Sequence, residues 1–194
     1  VSSGSVSNGI SSTAISGLSQ NSNYDAYVRS DCGGGDISSW SNLSNFTTLC
    51  DSSFPYIEDF ESGILNTCWT LSNPNDVTIK SNCFGNSGNF LKFSNGNHNT
   101  VTNSIDVSNQ TSIMVSFDIN NGCEDTADDG ENLKIEYWDG SVWQTLEVIK
   151  SNDINQNWSS SREYIITTGL SSNFKLRFFK TVSTGLDDID IDNL

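Results

Sequence analysis

Apolar and polar residues alternate at period two in segment after segment of this chain, and Gly, Asn, Asp and Ser clusters break the alternation every ten residues or so. No stretch keeps apolar residues at i, i+3, i+4 and i+7 for three turns, so helices are not expected. The clearest strands are 24–30, 89–94, 112–119, 132–138, 162–167 and 173–180. That spacing predicts an all-β protein, a sandwich or jelly roll. Asp139-Gly140, between Lys134–Trp138 and Val142–Leu146, reads as a two-residue hairpin turn in which both central residues take positive φ. Ten Phe, five Trp and five Tyr supply buriable surface, so this Ser- and Asn-rich composition is not that of a disordered chain.

Charge narrows the function. Acids outnumber Lys plus Arg by 24 to 9, a net −15, and such a field repels nucleic acid and anionic membrane surfaces. No apolar run approaches the roughly 20 residues of a membrane span, and Val1-Ser-Ser-Gly4 has no signal-peptide character, so membrane insertion is not expected and the sequence reads as an excised piece. Five Cys, none in a CxxC pair and with one His in the chain, point to disulfides in an oxidising compartment. A secreted or cell-surface location follows.

The acids are not evenly spread. In Asp188-Ile-Asp-Ile-Asp192 the alternation turns Ile189 and Ile191 to a core and leaves Asp188, Asp190 and Asp192 facing out of a half-buried strand. If that strand lies beside Glu58-Asp-Phe-Glu61, the carboxylates repel unless a cation such as calcium sits between them. The plainer reading is the solvated face of an edge strand. A second acidic run, Glu124–Glu131, is a poor match to a calcium loop, because Ala127 stands at its third-ligand position.

Leu18-Ser-Gln-Asn-Ser-Asn-Tyr24, the strand Asp25-Ala-Tyr-Val-Arg-Ser30, Trp40 and Phe46-Thr-Thr48 resemble the second half of a fibronectin type III domain. The sequence divides on this reading into a partial fibronectin type III domain at 1–50 and a second β-domain at 55–194. In that domain Glu58-Asp-Phe-Glu61, Cys68-Trp69, Phe174-Lys-Leu-Arg-Phe178 and Gly185-Leu-Asp-Asp-Ile189 resemble a MAM domain and, nearly as well, the jelly-roll part of a reelin repeat. The resemblance implies a structural calcium on Asp59 or Glu61 with Asp187 or Asp188, Asp190 and Asp192 being less suited. It also implies core positions for Trp69 and Trp143. Cys32 matches a cysteine whose partner lies upstream in related bacterial modules. That leaves Cys50 to pair with Cys68 and Cys83 with Cys123 across the sheets, although Cys32–Cys50 is a rival connectivity.

No positioned acid, base or nucleophile stands out: His98 sits alone in a polar stretch read as a loop, and no Gly-x-Ser-x-Gly elbow exists. The expected function is therefore a non-catalytic, calcium-stabilised adhesion, recognition or structural module of a larger extracellular protein. Its partners would be a protein or glycan on a cell surface or matrix, or neighbouring domains of the same chain. The alternative is a carbohydrate-binding module. Alternation turns Trp138 outward, and Trp138 with Trp158 would then form the sugar platform.

Overall fold

The computed structural model describes residues 3–7, 9–10, 12–84, 86–123, 130–181 and 188–194, and for 86 and 87 the backbone alone. The chain separates into two units, Val1–Leu49 and Cys50–Leu194. In the first, β1 (Asn23–Ala26) pairs antiparallel with β2 (Ser44–Thr47), and Tyr24 stacks on Phe46 at 5.8 Å. The Tyr24 hydroxyl accepts a 2.9 Å hydrogen bond from the Ser19 amide, the backbone tie of a tyrosine corner. Tyr27, Val28, Trp40 and Phe46 are exposed, so this pair of strands has no core of its own.

The second unit is a sandwich of two five-stranded sheets. Its strands are β3 (Thr70–Leu71), β4 (Val77–Cys83), β5 (Asn86–Phe93), β6 (His98–Val101), β7 (Ile113–Asn120), β8 (Asn132–Trp138), β9 (Trp143–Lys150), β10 (Ser160–Ile166), β11 (Lys175–Thr181) and β12 (Ile189–Asp192). One sheet runs β10-β7-β12-β5-β4 and the other β3-β6-β11-β8-β9, every pairing being antiparallel. Among the described residues the one helical element is a 3-10 turn, Ser151–Asp153. Alternation builds the core: Leu91, Phe93, Val115, Phe117, Ile189 and Ile191 of the first sheet meet Leu133, Ile135, Leu176 and Phe178 of the second. The Phe117 and Phe178 rings meet edge to face at 5.3 Å across the interface.

Three local readings change. β8 and β9 are joined by four residues, with Trp138 opposite Trp143. Gly140 has φ +103° but Asp139 does not enter the positive region. Its carboxylate instead accepts from the amides of Ser141 and Val142, both at 2.8 Å, and from Gln144 Nε2 at 2.7 Å, which closes the turn by side-chain bonding. His98 opens strand β6 and its Nε2 lies 3.1 Å from Asp76 Oδ2. The acids at β12 do not lie on an edge strand: β12 is the central strand of its sheet, and Asp190 and Asp192 within it and Asp188 just before it are all buried.

Cys50 bonds to Cys68, closing the entry to the second unit, and Cys83 bonds to Cys123. The second bond does not cross between the sheets. Cys83 ends β4 and Cys123 follows β7, strands of one sheet, and both sulfurs lie beside Asn120 on that sheet's outer face.

Candidate functional site

Outside the core each sheet carries a polar cluster. On the second sheet, Leu133, Ile135 and Tyr137 point inward and leave Lys134, Glu136 and Trp138 on the outer face. Register then fixes their neighbours: Trp143 on β9 faces Trp138, and Arg177 on β11 faces Glu136. The two indoles meet at 5.5 Å with their planes 61° apart. The Arg177 guanidinium lies 4.2 Å from the centroid of the Trp143 ring, inside cation–π range. Its Nε donates to Glu136 Oε2 at 2.6 Å, while Lys134 Nζ approaches Glu136 Oε1 at 2.8 Å. Lys134 in turn lies 5.9 Å from the Phe179 ring. These side chains form one continuous strip, roughly 13 Å from Lys134 to Trp138 along β8. Trp138, Trp143, Arg177, Lys134 and Phe179 all retain solvent contact, whereas the Glu136 carboxylate that joins them is buried.

Trp143 therefore faces outward, not into the core, for a reason of parity: the cross-strand partner of an outward residue faces outward too. Trp69 is buried, meeting Phe60 edge to face, with its Nε1 donating to Tyr56 Oη at 2.7 Å. Desolvation raises the Tyr56 phenol to about 12. Trp158 does not share a face with Trp138. Held at φ +54°, it packs at 5.2 Å on Phe90, which alternates with core-facing Leu91 and so lies on the outside of the first sheet. Trp138 and Trp158 therefore do not form one platform; the neighbours of Trp138 on its face are Trp143 and, beyond it, Arg177.

The second cluster lies outside the first sheet. Lys92 on β5 faces Asp190 on β12, with Asp188 diagonally beyond. Lys92 Nζ is 2.8 Å from Asp188 Oδ2, and these side chains are only 5% and 2% exposed. On the other side of Asp190, Asn120 of β7 donates from Nδ2 to Asp190 Oδ2 at 3.3 Å. Burial, with Asp188 nearby, pushes the Asp190 carboxyl up to about 7 against the hydrogen bonds that favour its anion. The Cys83–Cys123 bond covers the group: Asn120 Nδ2 lies 3.4 Å from Cys83 Sγ. Both sulfurs being in a disulfide, they offer no thiolate to a metal.

Of the four residues expected to hold calcium, Asp59, Glu61 and Asp188 are described, and Asp188 is not brought to the other two. Asp59 and Glu61 are exposed at the far end of this sheet, where Asp59 Oδ1 accepts from the Glu61 amide at 3.1 Å and Glu61 Oε1 from the Asn89 amide at 2.9 Å. Asp188 lies beyond the opposite end of β5, roughly 16 Å away at strand rise. Asp187, and the acids 124, 125, 128 and 129 of the second acidic run, lie outside the described residues.

Residues 76–194, well over half of the chain, match the reelin subrepeat B family. The chain belongs to that family. Of the two resemblances seen in the sequence, the match falls on the reelin one, and it begins just before β4 of the sandwich. No curated protein matches the chain. Among solved structures it is similar to the K1 cleaved adhesin domain of Lys-gingipain from Porphyromonas gingivalis W83, with 15% identity over 71% of this chain and 94% of that one and a TM-score of 0.49. It is also similar to a xylan-binding domain from Paenibacillus barcinonensis, with 11% identity over 71% and 89% and a TM-score of 0.49. A carbohydrate-binding module specific for non-crystalline cellulose gives 15% identity over 69% and 89%, at a TM-score of 0.47. Likeness at this level carries no functional information.

Proposed function

We propose that this reelin subrepeat B sandwich is a non-catalytic recognition module of a longer extracellular protein, and that it binds neutral oligosaccharide through the outer face of its second sheet. The observation that carries the reading is the strip Trp138–Trp143–Arg177–Glu136–Lys134. These partly buried indoles would offer apolar ring surface to the C–H face of a pyranose ring. The ion-paired guanidinium, ammonium and carboxylate beside them offer fixed donors and acceptors to ring hydroxyls. Locally the strip carries two cations and one acid, but the net −15 of the chain disfavours long acidic glycans, so an uncharged sugar fits best.

Two disulfides support the extracellular placement. No helix among the described residues is long and apolar enough to cross a membrane. The hydrogen bond from the Ser19 amide to the Tyr24 hydroxyl supports a fibronectin type III origin for residues 1–49.

The test is a neutral-glycan array probed with the whole chain, followed by titration calorimetry on the strongest hit. Trp138→Ala and Arg177→Ala should each weaken binding at least about tenfold, or 1.4 kcal/mol, while Trp158→Phe leaves it unchanged. Retention of full affinity by Trp138→Ala would remove the strip as the site. Silence of the whole array would favour protein adhesion by this face.

A further inference from the structure

We infer that Lys92 is the built-in counter-cation of the acidic cluster on β12, occupying the place where a divalent ion would otherwise bridge Asp188 and Asp190. The sequence led to calcium because carboxylates alternating along one strand repel unless something positive lies among them. Something positive does: the Lys92 ammonium, 2.8 Å from Asp188 Oδ2.

Its position follows from register. Lys92 and Asp190 are cross-strand partners, so the lysine stem passes over Asp190 to reach Asp188 two residues along the same face. A second ion would meet direct repulsion from a buried ammonium that cannot retreat to water, because the Lys92 side chain is 5% exposed.

The oxygens left over by that ion pair nevertheless suit a metal. Asp188 Oδ1, Asp190 Oδ1 and Asn120 Oδ1 are buried oxygens with no hydrogen-bond partner. Oxygens of this kind are what calcium takes as ligands. The lysine thus engages one carboxylate oxygen of a cluster in which these three oxygens stay unpaired, and removing its charge should uncover a latent divalent-cation site.

The experiment is thermal unfolding of the whole chain and of Lys92→Met, each in excess calcium and in chelator at matched ionic strength. An ion held at one hundred times its Kd would raise Tm by about 5–10 °C. The wild type should shift by less than about 1 °C, whereas Lys92→Met should unfold earlier in chelator and regain several degrees in calcium. Lys92→Gln serves if the Met variant does not fold. A wild-type calcium shift of that size that disappears in Asp188→Asn would overturn the inference, as would a folded Lys92 variant with no calcium response. A wild-type shift that survives Asp188→Asn locates the ion on other carboxylates and upholds the lysine at this one.

Discussion

Replacing Lys180 with methionine is the perturbation whose cost follows most directly from the packing. On β11 the residues Leu176, Phe178 and Lys180 all point inward, so alternation that places a phenylalanine against Phe117 also places a lysine in the sandwich. Its Nζ lies 3.9 Å from Glu131 Oε2, and neither side chain has solvent contact. Methionine keeps most of the stem, so little of the loss comes from a cavity. What is lost is the ammonium beside a buried carboxylate, and breaking such a pair costs about 3–5 kcal/mol. With a urea m-value of about 2 kcal/mol/M, the midpoint should fall by about 1.5–2.5 M. The double variant Lys180→Met/Glu131→Leu removes both charges and should recover most of that loss, since an apolar pair of similar volume carries no desolvation penalty. Equilibrium unfolding followed by tryptophan fluorescence reads both variants. A loss below about 1 kcal/mol in the single variant, or a double variant no more stable than the single, would refute the buried-pair argument.

Other outcomes follow from particular contacts. Gly169 sits at φ +70°, and a Cβ there would stand 2.5 Å from Asp139 Cβ and 3.2 Å from Tyr137 Cε2, so Gly169→Ala should cost at least about 1–3 kcal/mol by chemical denaturation. The Tyr56 phenol, raised to about 12, holds its proton in the folded state above the value it has unfolded. Stability therefore stays level below about pH 10 and falls as pH rises from there toward about 12, and Tyr56→Phe should flatten that fall in a pH series of melts. Cys68→Ala, which opens the Cys50–Cys68 loop, should cost about 2–4 kcal/mol, and reductant should then lower Tm less than in the wild type.

Much of the sandwich was readable because the apolar residues of its longer strands alternate: in 113–120, 132–138 and 175–181 they are buried at period two, broken only by the buried polar residues Asn120 and Glu136. β4 and β6 were not seen. Val77-Thr-Ile-Lys-Ser-Asn-Cys83 turns polar halfway, and His98-Asn-Thr-Val101 has a single strong apolar residue; backbone pairing to neighbours distant in sequence holds both in place. The acids of β12 misled for a related reason. Alternation says which face a side chain takes, not whether that face meets water, and here the Cys83–Cys123 disulfide and Trp158 on Phe90 cover it. A signal was present all the same in Asn89-Phe-Leu-Lys-Phe93, where a lysine alternates outward in a strand whose register sets it opposite Asp190. The strip on the second sheet was half legible. Alternation placed Trp138 outside, but family position had put Trp143 inside, and only the register of β8 with β9 brings the two indoles together.

The proposal that the strip is a sugar-binding face is tested most directly by the indole N–H signals of the five tryptophans in a nitrogen-15 correlation spectrum, titrated with the best neutral oligosaccharide from the array. Trp138 and Trp143, assigned by substitution, should shift together along one binding curve, while Trp69 in the core and Trp158 on the opposite sheet stay in place. Saturable shifts confined to Trp158 or Trp40, with Trp138 and Trp143 unmoved, would contradict it.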